Sequence, residues 1–104
     1  METVTVGEKN DYSGTIHKVI WVTDSPVMYD FQTQFDDLII SSPDGDVLIS
    51  WTVVHGSEWK DDECMLVKTF DNQKELNNMR TTQIALKAAE PGKKLRVYLT
   101  IQRN

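Results

Sequence analysis

Alternation of apolar and polar side chains is the feature that most restricts how this chain folds. The segment "LRVYLTIQ" near the C-terminus has one wholly apolar face, which consists of Leu95, Val97, Leu99 and Ile101. Successive side chains of a strand point to opposite faces of a sheet, so a period of two residues predicts a half-buried β-strand. Several other segments share this pattern, and we therefore expect a β-rich domain.

The densest aromatic segment, "PVMYDFQTQFDD" (Pro26–Asp37), follows the same rule. Read at period two, one side of it carries Val27, Tyr29, Phe31, Thr33 and Phe35. A helix would scatter these rings, because residues two apart lie about 200° from each other around a helix axis. The pattern predicts one strand whose rings face a core rather than an exposed binding surface.

The segment "TIHKVIWVT" (Thr15–Thr23) is apolar on both sides. One face carries Ile16, Ile20 and Val22, and the other carries His17, Val19 and Trp21. Two apolar faces indicate either a central strand or a strand whose second face meets a partner.

Short segments rich in β-branched residues predict the remaining strands: "TVTV" (Thr3–Val6), the two runs that flank "SPDGD", and "CMLVKTF". The run after "SPDGD" places Val47, Ile49, Trp51, Val53 and His55 on one face. Pro43, Asp44 and Gly45 predict a turn, since proline presets φ, aspartate bonds nearby backbone and glycine adopts positive φ.

One region predicts a helix. Asn72 followed by Glu75 resembles a capping box, and Asp71 is an alternative cap. From Thr81 onward one broad side of a helix would carry Ile84, Ala85, Leu86, Ala88 and Ala89. The proline and glycine of "EPGKK" would end it.

The expected fold class is therefore mainly β with one α-helix (α+β), in a single domain over residues 1–104. The expected architecture is a small antiparallel sheet or an OB-like barrel, with the helix packed across it before the last strand. This order, with an alanine-rich helix followed by "GKKLRVYLT", is similar to that of the B subunits of pentameric bacterial toxins. The resemblance implies an OB-like fold, and a fold alone implies no activity.

Composition and charge disfavour several kinds of partner. The net charge is −5 and the only dense basic group is Lys93, Lys94 and Arg96, whereas nucleic acids and anionic membranes are held mainly by basic residues. No apolar run approaches the ~18 residues of a membrane-spanning helix. The start "METVTVGEKND" lacks the basic and apolar regions of a signal peptide, which predicts a cytoplasmic protein. A secreted protein that had lost its signal and gained Met1 would look the same.

The sequence contains no nucleophile elbow, HExxH motif, phosphate-binding glycine loop or dinucleotide fingerprint. Cys64 is predicted to be a small buried hydrophobe, and His17 and His55 to be sheet histidines rather than catalytic bases. The aspartates of "PDGD" and "KDDE" fit solvated turns better than a calcium loop. We expect no metal and no cofactor, and a binding protein rather than an enzyme.

Trp59 is the first candidate for a binding residue. It lies in the polar loop "GSEWKDDE", where no strand alternation requires an aromatic ring. Such a ring either folds back as a lid over the domain or stacks on a ligand or partner. The sequence alone does not decide between a lid and a binding residue.

We predict a non-enzymatic binding or assembly module that forms a homo-oligomer, because no catalytic constellation is visible and Thr15–Thr23 has two apolar faces. The alternative is a small-molecule-binding β-barrel or minor enzyme, with an interior pocket near His55, Trp51 and Tyr29. A closed apolar cavity with a few convergent polar groups would favour the alternative.

Overall fold

The computed structural model describes residues 1–6, 14–32, 35–50, 59, 64–68, 74–77 and 82–103. These residues contain β-strands and no helix. In chain order the strands are β1 (Glu2–Thr5), β2 (Gly14–Thr23), β3 (Val27–Asp30), β4 (Asp37–Ser41), β5 (Val47–Ser50), β6 (Met65–Val67), β7 (Lys74–Asn77), β8 (Gln83–Ala88) and β9 (Lys94–Arg103).

The strands form two separate sheets. The five-stranded sheet has the order β1-β3-β8-β5-β6, and the four-stranded sheet has the order β2-β9-β4-β7. Neighbouring strands are antiparallel except β1 and β3, which are parallel. No closed barrel forms among the described strands, so the expected OB-like barrel is wrong. The expected resemblance in fold to the toxin B subunits is therefore wrong as well.

The inner faces of both sheets contribute to one hydrophobic core, as in a two-layer sandwich. From Leu95 to Ile101 the inward side chains of β9 are buried, and they are those that the alternation predicts, namely Leu95, Val97, Leu99 and Ile101. Val47 and Ile49 of β5 and Leu38 and Ile40 of β4 are also fully enclosed. The sequence-based assignment of the core face of β9 is confirmed.

The predicted helix is wrong, because the described part of that region is extended. Lys74–Asn77 is strand β7, and Gln83–Ala88 is strand β8, which pairs with β3 and β5. The run "IALKA" fits either period, since every second residue is apolar and the residues between are alanine or lysine. Helix propensity is a weak preference, and two neighbouring strands and the burial of Ile84, Leu86 and Ala88 outweigh it here.

The segment Pro26–Asp37 is not one continuous strand. Strand β3 ends at Asp30, whose carboxylate accepts a hydrogen bond from the backbone N–H of Gln32 at 2.8 Å. Gln32 has φ of 64°, a left-handed conformation that breaks the alternation. The chain then crosses to the other sheet, where the N–H of Asp36 donates to the carbonyl of Gln102 at 2.9 Å.

The rings of this segment are nevertheless core residues, as predicted. Tyr29, Phe31 and Phe35 are all buried, and Thr33 lies outside the described residues. Phe31 and Phe35 form an edge-to-face pair with centroids 5.4 Å apart. The pair therefore packs where the chain passes from one sheet to the other.

The predicted "SPDGD" turn is present, and it too joins the two sheets, since β4 and β5 lie in different ones. A Cβ added at Gly45 would lie 3.3 Å from the Leu95 side chain. Glycine thus lets the turn lie directly against β9. The described residues also contain no helix that is long and apolar enough to cross a membrane.

We predict that Phe31→Ala lowers the free energy of unfolding by about 3–5 kcal/mol, because it leaves a cavity at a fully buried site. Urea denaturation of both proteins measures the difference. Leu66→Ala is the matched control, since Leu66 is 42% exposed and should change stability by about 0.5 kcal/mol or less. Equal midpoints for wild type and Phe31→Ala would contradict the core assignment.

Candidate functional site

Strand β2 lies at one edge of the four-stranded sheet. Its ten residues pair with β9 along their whole length, from Gly14 opposite Arg103 to Thr23 opposite Lys94. Among the described strands β2 has no second neighbour, so these strands do not support the prediction of a central strand. The alternative prediction, a strand whose second face meets a partner, remains compatible with this position.

The outward face beside this edge is apolar. Val19 and Trp21 of β2 are 58% and 54% exposed, and Tyr98 of β9 is 39% exposed. Val19 is directly opposite Tyr98 in the strand pairing, and Trp21 is the next outward residue along β2. We call these three side chains the Trp21 patch. Contiguous exposed apolar side chains on a sheet are typical of interaction sites, whereas single ones are ordinary surface.

Basic side chains border the Trp21 patch on the side of β9. The Nζ atom of Lys94 lies 5.0 Å from the centroid of the Trp21 ring, within range of a cation–π contact. Arg96, opposite Trp21, donates hydrogen bonds from Nε and Nη2 to the Asp44 carboxylate at 3.0 and 3.2 Å. The backbone N–H of Arg96 donates to the same carboxylate at 3.0 Å.

These hydrogen bonds lower the pKa of the Asp44 carboxyl and raise that of the Arg96 guanidinium. Arg96 is thus fixed beside the patch with its charge paired. The sequence predicts Asp44 only as a turn residue. Nothing in the sequence links two residues so far apart, and the contact follows from the packing of the turn on β9.

The other end of the outward face is polar. His17 Nδ1 and Thr100 Oγ1 are 3.1 Å apart, within hydrogen-bonding distance across the β2–β9 pair. His17 is therefore a sheet histidine, as predicted.

The inward face of β2 is incompletely covered. Val22 is buried, but Ile16 and Ile20 are only half-buried and Lys18, which lies between them, is exposed. The N-terminal half of β2 thus extends beyond the edge of the core. Apolar side chains remain in contact with solvent on both sides of this one strand.

Tyr29, one of the predicted binding residues, lies on the inner face of the five-stranded sheet. Its hydroxyl donates a hydrogen bond to the backbone carbonyl of Trp21 at 3.2 Å. Burial, followed by the nearby Glu2 carboxylate, raises the pKa of the Tyr29 hydroxyl. This hydrogen bond links β3 of one sheet to β2 of the other.

Trp59, the first candidate of the sequence, is half-buried against Met28 and Ala85 on the outer face of the five-stranded sheet. The Nζ atom of Lys87 lies 5.6 Å from the centroid of its ring. Met28 and Tyr29 are consecutive residues of β3, so Trp59 and Tyr29 lie on opposite faces of the sheet. The structure does not bring these two candidates together.

The other two predicted binding residues, His55 and Trp51, lie outside the described residues.

A cleft beside the β4–β5 turn is lined by Asp44, Asp46, Glu90, Lys93 and Leu95. Its charges are of both signs, Asp44 is engaged by Arg96, and the cleft does not include Tyr29. In the described parts of the chain, no group of three or more histidine, cysteine, aspartate or glutamate side chains is placed to hold a metal ion. The Trp21 patch and the β2 edge are therefore the strongest candidate site.

Comparison with known proteins finds no protein-family model, no curated protein and no solved structure that the chain matches.

We predict that Tyr29→Phe lowers the free energy of unfolding at neutral pH by about 0.5–1.5 kcal/mol, the usual net contribution of one hydrogen bond. The raised pKa of Tyr29 stabilises the fold. This contribution is complete below the unfolded-state pKa of 10.0 and is lost as the pH rises through the folded-state pKa. The stability difference between wild type and Tyr29→Phe should therefore narrow above pH 10. Urea titrations at neutral and alkaline pH measure it, and a difference that widens would contradict the buried hydroxyl.

We predict that Trp59→Ala costs about 1–3 kcal/mol, below the 3–5 kcal/mol of fully buried aromatic truncations, because the ring is half-buried on Met28 and Ala85. Lys87→Gln is the control, since it removes the cation near the ring and should cost about 1 kcal/mol or less. Thermal melts of the three proteins make the comparison. An unchanged melting temperature for Trp59→Ala would show that the ring does not stabilise the sheet and would favour a binding role.

Proposed function

We propose that this domain is a non-enzymatic assembly module that binds a second copy of itself through β2 and the Trp21 patch. The observation that carries the proposal is the position of the patch beside the longest sheet edge in the described structure. The other described edge strands, β1, β6 and β7, have only three or four residues.

A long exposed edge is a template for pairing with another strand, and monomeric proteins usually protect such edges. Common protections are inward-pointing charges, prolines, bulges and short strands. Strand β2 has no proline between Gly14 and Thr23, it is the longest described edge strand, and Lys18 is its single inward-pointing charge. Apart from Lys18 it lacks these protections, and its outward face carries the apolar side chains Val19 and Trp21.

The composition of the patch also supports recognition. Tryptophan, tyrosine and arginine are the residues that most often dominate binding energy at protein interfaces. Here Trp21 and Tyr98 supply apolar area, and Arg96 is held in place by Asp44 and so loses little side-chain entropy on binding. No aspartate or glutamate lies in β2.

Measurement of molar mass by light scattering and sedimentation over a concentration series tests the proposal. At physiological ionic strength the screening length is about 8 Å, so the net charge of −5 should not mask association. We expect a dimer at tens of micromolar for wild type and a monomer for Val19→Lys. Because Val19 is 58% exposed, the substitution removes no core contact.

Leu66→Lys is the matched control. Leu66 is 42% exposed on the outer face of the other sheet, so the same change of charge should leave the dimer intact. A wild-type protein that stays monomeric at every concentration would overturn the proposal, as would equal loss of dimer in both variants.

A further inference from the structure

We infer that two copies pair β2 against β2, edge to edge and antiparallel, in a register centred on Val19. The two four-stranded sheets then form one continuous sheet across the dimer. This inference rests on the proposed self-association and states its geometry.

Edge pairing is favoured over stacking of the two Trp21 patches because of the inward face of β2. Stacking would cover Val19, Trp21 and Tyr98 but would leave Ile16 and Ile20 as exposed as before. A strand added beside β2 flanks the side chains on both of its faces, since neighbouring strands share both surfaces of a sheet. Only edge pairing therefore covers the apolar side chains on both sides.

Symmetry restricts the register. A two-fold axis perpendicular to the sheet keeps the outward face outward, so outward residues can be opposite only outward residues. The axis must then pass between two copies of the same residue. For the strand Gly14–Thr23, only centres at Lys18 and at Val19 keep all but one of its residues paired.

Charge distinguishes these two registers. A centre at Lys18 would place two ammonium groups directly opposite each other, which is unfavourable. A centre at Val19 places each Lys18 opposite Ile20 of the second copy, and each Trp21 opposite His17. The remaining outward pair is Thr15 with Thr23, and the remaining inward pair is Ile16 with Val22.

The contact between the two sheets does not obstruct this pairing. The Trp21 carbonyl already accepts the Tyr29 hydroxyl at 3.2 Å, and a carbonyl oxygen has a second lone pair. Thr15 and Thr23 at the ends of the strand are both exposed.

Thiol crosslinking between different variants tests the register. In a Cys64→Ser background, which removes the native thiol, one protein carries Thr15→Cys and another carries Thr23→Cys. In the Val19-centred dimer these two positions are opposite each other, whereas two copies of Thr15 are about 27 Å apart at ~3.4 Å per residue. A short bifunctional thiol reagent should therefore crosslink the mixture and should not crosslink either variant alone.

The outcomes separate this inference from the proposed function. A dimeric mass with heterologous crosslinking only in the mixture supports both. A dimeric mass in which the mixture gives no crosslink overturns the register while the proposed self-association stands. A monomeric mass for the uncrosslinked wild type overturns both, and crosslinking of Tyr98→Cys alone in the same background would indicate stacked patches instead.

Discussion

The pairing of β9 with β2 on one side and β4 on the other is the constraint on which the rest of this structure depends. The four inward side chains from Leu95 to Ile101 are buried, so the inner face of β9 fixes its orientation in the core. Side chains alternate strictly along a strand, and this leaves Arg96 and Tyr98 no choice but the outward face. The candidate surface is thus a direct result of core packing in the same strand.

Two polar contacts then fix the position of the β2 edge and of the residues around Trp21. Asp44 holds Arg96 by its side chain and its backbone N–H, and Tyr29 holds the carbonyl of Trp21 from the opposite sheet. The Asp44–Arg96 contact joins residues 52 positions apart in the chain, and the Tyr29–Trp21 contact joins the two sheets. They hold the strand edge and the residues around Trp21 in place, which would lower the ordering cost of the proposed self-association.

The buried faces of the strands could be predicted from this sequence, but which strands pair with one another in the sheets could not. The alternation in "LRVYLTIQ" identified the four buried residues of β9, and period two correctly buried Phe31 and Phe35 even though Gln32 interrupts the strand. The helix was wrong because "IALKA" satisfies both periods, and only the neighbours β3 and β5 decide between them. Of the candidate site, Trp21 and Val19 were visible as a second apolar face, whereas Tyr98 and the Asp44–Arg96 contact depend on the pairing of β2 with β9.

Consecutive strands in the described part of the chain lie in opposite sheets, apart from β5 and β6. Strand β2 therefore finds its partner, β9, only near the other end of the described chain, and Thr15 is opposite Gln102. During synthesis the ribosome must release nearly the whole domain before the four-stranded sheet can form, and closing such a long loop slows folding. A nascent chain meanwhile exposes both apolar faces of β2. The strand proposed to join two finished copies is also the one that most needs protection from premature contacts while the chain is being made.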